Sequence, residues 1–286
     1  MPLQIFQPSP PLAAIKFIIA IAAGKGGVGK SSVTVNLALA LRDQGYSVGI
    51  MDTDIYGPSI RKMLPEDRLP SQKGEIIQPA LCAGIKMISM AYFRKEYEAT
   101  AVRAPIANGL ISQFIKNVAW GSLDFLLIDF PPGTGDVQLT LSQQANLTGA
   151  IMVTTPQEVA ILDVRKAIYL FEQVKVPILG IVENMSYYTS PQLDEPLYLF
   201  GRGGGERLAK EVGAPFLGGI PIDPDLCACG DKGQSLFVLD PLKQKPATQA
   251  FIQLSQQLVA HAEALKSQAS SALSHFELAW KEMKPS

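Results

Sequence analysis

Residues 24–31 read Gly-Lys-Gly-Gly-Val-Gly-Lys-Ser, the spacing G-x4-G-K-S/T with a second lysine at Lys25. Glycines let a backbone curl until successive N–H groups converge, and such a nest binds anions. In that geometry Gly24, Lys25, Gly26, Gly27, Val28, Gly29, Lys30, Ser31 and Ser32 would cradle the phosphates of a nucleotide. Lys30 is spaced to reach the terminal phosphates and the Ser31 hydroxyl to ligate Mg2+. Lys25 stands where many residues are tolerated. It is either incidental or a cation that neutralises charge developing on a transferred phosphoryl group, as an arginine finger does.

Three aspartates extend this chemistry. Asp129 closes a strongly apolar run, 124–130, and is followed by Pro131-Pro132-Gly133-Thr134-Gly135-Asp136. An acid at such a strand tip can hold the hydration shell of Mg2+, the Walker B role, although it can also simply cap a turn. The Pro-Pro-Gly-Thr-Gly stretch suits a loop that senses a γ-phosphate and shifts on hydrolysis. Asp52 and Asp54 close a second apolar run and are expected to split their work across a continued strand. Asp52 would face the metal, and Asp54 would orient or deprotonate the attacking water. The alternative is a pair of solvated acids in the turn before Gly57-Pro58. The candidate catalytic set is therefore Lys25, Lys30, Asp54 and Asp129, and the candidate metal set is Ser31, Asp52 and Asp129.

These residues need a strand before the glycine loop and a helix after it. Residues 17–23 (FIIAIAA) read as a buried parallel strand, and 31–44 as a helix with Val33, Leu37, Ala40 and Leu41 on one face. Further strands are expected at 46–52, 85–90, 124–130, 149–155, 177–183 and 215–220. Helices are expected from Pro105, from a capping box at Thr155-Pro156-Gln157-Glu158, and from Pro246 onward. Strands alternating with helices predict an α/β fold, a mostly parallel twisted sheet with helices on both faces. Ligands of such sheets bind beyond the carboxyl ends of the strands, where the glycine loop, Asp52, Asp54, Asp129 and Asn184 all fall. Residues 60–84 and 184–204 read as long irregular segments, a length that is usually functional or mobile.

The whole chain sets limits on the function. Its 286 residues are expected to divide into a flexible lead (1–15), a phosphate-loop domain (16–245) and a C-terminal helical segment (246–286) packed on or extending from that domain. Leu273, Phe276, Trp280 and Met283 form a further apolar stripe in the tail, either docked on its own domain or offered to a partner or membrane surface. A net charge of −1 gives no basic field for a nucleic-acid partner, and none is expected. A membrane partner is not expected either. Three cysteines, an odd and low count, argue against a disulfide framework and suit a cytoplasmic protein. The apolar run at 17–23 is too short to span a bilayer and leads straight into the loop, so it reads as a core strand rather than a signal peptide.

With its second lysine, the loop resembles the deviant Walker A signature of MinD/ParA-type ATPases. The segments MDTDIYGPSI, LLIDFPPGTGDVQLTL, VTTPQEVAILD, VPILGIVENMSYY and FGRGGGERLA resemble the Mrp/ApbC branch of P-loop iron–sulfur cluster carriers, over residues 17 to about 240. The resemblance implies a P-loop NTPase fold of the MinD/ParA type and a homodimer sandwiching two ATP molecules. It implies that Lys25 acts across the dimer on the partner's nucleotide. It also implies that Asn184, Pro221 and Asp223 hold the adenine, and that apoproteins or iron–sulfur scaffolds are partners. A positioning ATPase that docks on a surface without a cluster is the alternative reading. The family usually carries Cys-x-x-Cys after the Asn-Met-Ser-Tyr segment, where two chains bridge a 4Fe–4S cluster. Here those positions are Ser190 and Leu193, and neither replaces a thiolate. Cys227 and Cys229 are expected in a loop near the adenine edge, as ordinary cysteines or, the weaker reading for a Cys-x-Cys spacing, as four thiols that a symmetric dimer brings together around a cluster. Cys82 has no assigned role.

Overall fold

The computed structural model describes residues 12–54, 57–93 and 104–282, with side-chain burial described as far as residue 268. β1 (Ile15–Ala22) leads through the glycine loop into α1 (Lys30–Asp43), and β2 (Val48–Asp52) follows. Next come α2 (Ile60–Met63), β3 (Ser71–Lys73), β4 (Ile76–Gln78), β5 (Ala80–Cys82), β6 (Ile85–Ser89) and a 3-10 turn, Met90–Phe93. The middle of the chain holds α3 (Ala104–Asn117), β7 (Leu123–Asp129), α4 (Asp136–Gln144), β8 (Gly149–Thr154), α5 (Glu158–Gln173) and β9 (Ile178–Glu183). α6 (Gly204–Val212), β10 (Phe216–Gly219), α7 (Pro224–Lys232), α8 (Leu236–Leu239) and α9 (Pro246–Glu282) complete it.

The main sheet has eight strands in the order β10-β9-β8-β1-β7-β2-β6-β5. All neighbours run parallel except β5, which is antiparallel to β6. The pattern along β1 explains this architecture. Phe17, Ile19 and Ile21 belong to one core, Ile18, Ala20 and Ala22 to the other, and all six are buried. A strand apolar on both faces must be covered on both. α1 and α9 cover the first face, with Leu37, Phe251 and Leu258 fully buried there. α3 and α5 cover the second, around Phe114, Trp120, Phe130 and Phe171. Register then sets the site: Asp52 at the end of β2 pairs with Asp129 at the end of β7, and Ile21 of β1 pairs with Asp129 from the other side.

Several expectations shift. The capping box at Thr155 does not form: α5 starts at Glu158, Gln157 holds the N-cap position without a side-chain cap, and Thr155 is buried. Pro156 is instead pressed under the start of α6, where a Cβ on Gly204 would come within 2.3 Å of its carbonyl oxygen. Residues 60–84 are not irregular, since they carry α2, the β3–β4 hairpin and β5. Residues 184–203 are irregular apart from isolated backbone bridges, Tyr188 to Leu197 and to Ile222, and Leu199 to Gly201. α9 continues as one helix to Glu282, but the side chains of Leu273, Phe276 and Trp280, and all of Met283, lie outside the described residues. In the expected lead, residues 1–11 also lie outside, whereas Leu12 is buried and Ile15 already belongs to β1.

Candidate nucleotide-binding site

The glycine loop joins β1 to α1, and three contacts fix its path. Gly27 and Gly29 hold left-handed backbone at φ +82° and +81°, which a side chain would strain. Gly24 lies against the backbone of α5, where a Cβ would stand 2.1 Å from the carbonyl carbon of Asp163. Asn184, just past β9, donates an amide hydrogen to the carbonyl of Val28 at 2.9 Å.

Lys30 opens α1 and is buried. Its Nζ donates to Asp129 Oδ2 at 2.6 Å, and Ser31 Oγ donates to the same oxygen at 2.7 Å. Thr34 Oγ1 donates to Asp129 Oδ1 at 2.7 Å, so one buried carboxylate gathers three groups from α1. Thr53 anchors the strand below, its backbone N–H and hydroxyl both donating to the Asp129 carbonyl. A buried ion pair adds little net stability because both charges lose water, so this one is better read as poised chemistry. Thr34 escaped the sequence reading. Its signal was the helical spacing of four from Lys30.

Asp52 is fully buried and accepts from Ser89 Oγ at 2.7 Å and from the Asp54 N–H at 3.2 Å. Burial, and then the neighbouring charge of Asp129, push its carboxyl up to about 7. The expected division of Asp52 and Asp54 across a continued strand is not what places them. Residues two apart on a strand share a face, and β2 in fact ends at Asp52. Asp54 lies in the following loop, half-exposed, where it accepts from the Gly57 N–H at 3.1 Å.

Two adjoining cavities meet at the loop. The phosphate end, about 380 Å³, is lined by Lys25 to Ser32, Asp54, Ser59 and Lys62. The other end, about 510 Å³, is lined by Asn184, Pro221, Asp223, Phe200, Met63 and Cys227 among others. Gly29, Ser32, Met63, Gly230 and Asp231 border both. The expected phosphate-loop residues Lys25 to Ser32 and the base-edge residues Asn184, Pro221 and Asp223 thus line two adjoining cavities, whereas Gly24 lines neither. Lys25 is half-exposed, and among the described residues its ammonium has no recorded partner. The Asp223 carboxylate caps α7, accepting from the Asp225 N–H at 2.8 Å, and Pro224 takes the first helical position. A separate groove of about 620 Å³, lined by Leu139 of α4 and Arg165 and Tyr169 of α5 among others, touches none of the glycine loop.

The cysteines depart from expectation. Cys227 and Cys229 sit in helix α7 rather than a loop, because Asp223-Pro224 starts a helix there. Cys227 is exposed on the cleft, while Cys229 is buried and its thiol is raised by that burial. Cys82 is also buried, its thiol pushed up to about 12 by loss of water. Ser190 and Leu193 form a turn closed by the Leu193 N–H to the Ser190 carbonyl at 2.9 Å. Among the described residues no group of three or more His, Cys, Asp or Glu side chains is placed to hold a metal ion.

A family model described as ParA, NUBPL iron-transfer P-loop NTPase, matches residues 14–259. An iron-sulfur cluster carrier protein of Synechocystis is 48% identical over 233 residues, covering 79% of this chain and 66% of the relative. The chain therefore spans just under two thirds of that relative's length. One of Methanocaldococcus jannaschii is 47% identical over 233 residues, covering 80% of each chain. Among solved structures, a nucleotide-binding protein from Archaeoglobus fulgidus in complex with ADP superposes with a TM-score of 0.69 at 44% identity, covering 78% of this chain and 89% of that one. The septum site-determining protein MinD from Pyrococcus horikoshii, complexed with Mg-ADP, gives 0.61 at 22% identity over 85% of this chain and 95% of its own, a likeness of fold.

Proposed function

The chain belongs to the ParA family of NUBPL iron-transfer P-loop NTPases, and from that premise we propose that it is a dimeric, Mg-dependent ATPase acting in iron–sulfur cluster delivery. The observation that carries this reading is Asp129, gathering Lys30, Ser31 and Thr34 directly beneath the glycine loop. ATP phosphates fit the nest formed by the left-handed Gly27 and Gly29 at the start of α1. Mg2+ fits an all-oxygen donor set of Ser31, Asp52 and Asp129, since it takes one or two carboxylates and keeps several waters. The raised Asp52 carboxyl supports that fit: two acids packed side by side with one lysine leave charge that a cation would balance. When bound, Mg2+ supplies charge neutralisation across the phosphate oxygens.

The chain's own groups do the rest. Lys30 would turn from Asp129 to an anion in the nest, and the freed Asp129 carboxylate would be among the residues that hold the metal. Asp54, at the phosphate end, orients or accepts a proton from the attacking water. Asn184, Pro221 and Asp223 form the base end, and Asn184 also ties that end to the loop through Val28. Lys25 reaches the nucleotide of a second copy.

The iron–sulfur cluster is cargo, and the turn at Ser190–Leu193 offers it no thiolate. Cluster thiolates must therefore come from an apoprotein, a scaffold partner or the exposed Cys227. We place the protein in the cytoplasm, and among the described residues no helix is long and apolar enough to cross a membrane. The test is phosphate release with Mg2+, alongside ATP-dependent cluster delivery to an apo-ferredoxin acceptor under anaerobic conditions. Lys30→Ala should lower phosphate release by about a hundredfold or more. Unchanged release in that variant would remove the assignment, as would wild-type protein that hydrolyses ATP but never alters delivery.

A further inference from the structure

The phosphate end of the cleft is lined by three lysines, and one belongs to no motif. Lys30 is held by Asp129 in the loop's own chain, and Lys25 extends the loop. The third, Lys62, comes from α2 on the opposite wall, together with Ser59. It is exposed, and among the described residues its ammonium has no recorded hydrogen bond or ion pair. The acids lining the same space are Asp54 and Asp231.

The wall that carries Lys62 is built to hold still. Ile60 and Leu64 are buried on either side of it. Arg61 grips Glu66 through two nitrogens, the closest contact being 2.7 Å, and its guanidinium lies 5.0 Å from the Tyr92 ring centre. α7 closes against the backbone of Lys62: a Cβ on Gly233, at φ +66°, would stand 3.0 Å from the Lys62 carbonyl oxygen. Met63, the next residue, lies against Gly230 and borders both halves of the cleft. A packed wall that adds one cation to the cavity lined by the phosphate nest favours ligands carrying more negative charge.

We propose that Lys62 reads the terminal phosphate of the nucleotide bound in its own chain, and so sets the preference for triphosphate over diphosphate. This rests on the nucleotide-binding reading above. An additional phosphoryl group adds charge at the end of the chain of phosphates, within the space that Lys62 lines. A diphosphate ends in the glycine nest, where Lys30 and the backbone N–H groups suffice.

The experiment measures dissociation constants for Mg-ADP and for a non-hydrolysable Mg-ATP analogue in wild type, Lys62→Ala, Lys62→Arg and Lys30→Ala, with circular dichroism to confirm folding. Lys62→Ala should lose about tenfold in affinity for the triphosphate, the scale of one charge-assisted hydrogen bond, and less than about twofold for ADP. Lys62→Arg should keep the preference, whereas Lys30→Ala should weaken both. Equal loss for both nucleotides in Lys62→Ala, or no loss, overturns the role of Lys62 while leaving the site intact. A wild-type chain that binds neither nucleotide overturns the site and the inference together.

Discussion

Asp52 shows how a single residue can be costly to the fold and useful to the site. Its carboxyl is buried beside Asp129 and titrates at about 7, well above an ordinary aspartate. Between pH ~4 and ~7 the unfolded chain gives up this proton while the folded chain retains it, so folded stability falls as pH rises. Below that window the residue is neutral in both states, and above it the loss is complete. Asp52→Asn keeps one carbonyl oxygen, which can accept from the Asp54 N–H, turns its amide toward the Ser89 hydroxyl as a donor, and carries no charge. In metal-free protein at pH 8 it should be more stable than wild type by at most about 4 kcal/mol, the gap narrowing to nothing near pH 4. Urea unfolding at the two pH values measures this, and a wild type equally stable against the variant at both would refute it. The same substitution should lower Mg-dependent ATP turnover. The thiols divide along similar lines. Cys82 and Cys229 are buried with raised thiols, whereas Cys227 is exposed on the cleft wall. Iodoacetamide followed by peptide mapping should label Cys227 first, and ATP should slow that labelling. Labelling of Cys82 at a comparable rate in folded protein would contradict the structure.

At the scale of elements, the glycine loop is positioned by what crowds it. An alanine at Gly24 would drive its Cβ into the backbone of α5, which cannot move aside as a flexible side chain can. At Gly26 nothing stands within 4 Å of an added Cβ. Gly24→Ala should therefore cost about 1–3 kcal/mol of stability, while Gly26→Ala should leave stability within about 0.5 kcal/mol and act only on phosphate affinity. Thermal unfolding without nucleotide separates the two, and equal midpoints would refute the packing argument. The same elements show what a sequence displays. β1, β2, β7, β8 and β9 are visible because strands buried on both faces write continuous apolar runs, and their ends locate Asp52, Asp129 and Asn184. β3 to β5 are invisible because each is three residues long, and Ser71–Lys73 is entirely exposed. α7 is legible in principle, since Asp223-Pro224 is a cap followed by proline at the first helical position. Lys62 and Ser89 carry no motif at all. Only folding brings Lys62 of α2 to the cleft and, through the pairing of β6 with β2, the buried Ser89 to Asp52.

For the whole molecule, the placement of Lys30 and Lys25 gives the proposed dimer a direct test. Lys30 is tied to Asp129, at the end of β7 in the same chain, and lies buried, so it serves the nucleotide of its own chain. Lys25 sits at the mouth, half-exposed, with no recorded partner among the described residues. In the proposed symmetric dimer each Lys25 completes the other copy's site, an isologous exchange in which both sites need both chains. Two damaged chains can then repair one another. Lys30→Ala removes the lysine of its own site but still offers Lys25 to a partner. Lys25→Ala keeps its own phosphate loop and lacks only what the partner supplies. Each variant alone should be inactive, yet an equal mixture should recover up to about a quarter of wild-type ATPase activity, since half the dimers are mixed and each has one complete site. Phosphate release measured across mixing ratios should peak at equal proportions and fall to background at either end. If Lys25 instead acted within its own chain, no ratio would exceed the average of the two parents, and a flat mixing curve would retire the shared site.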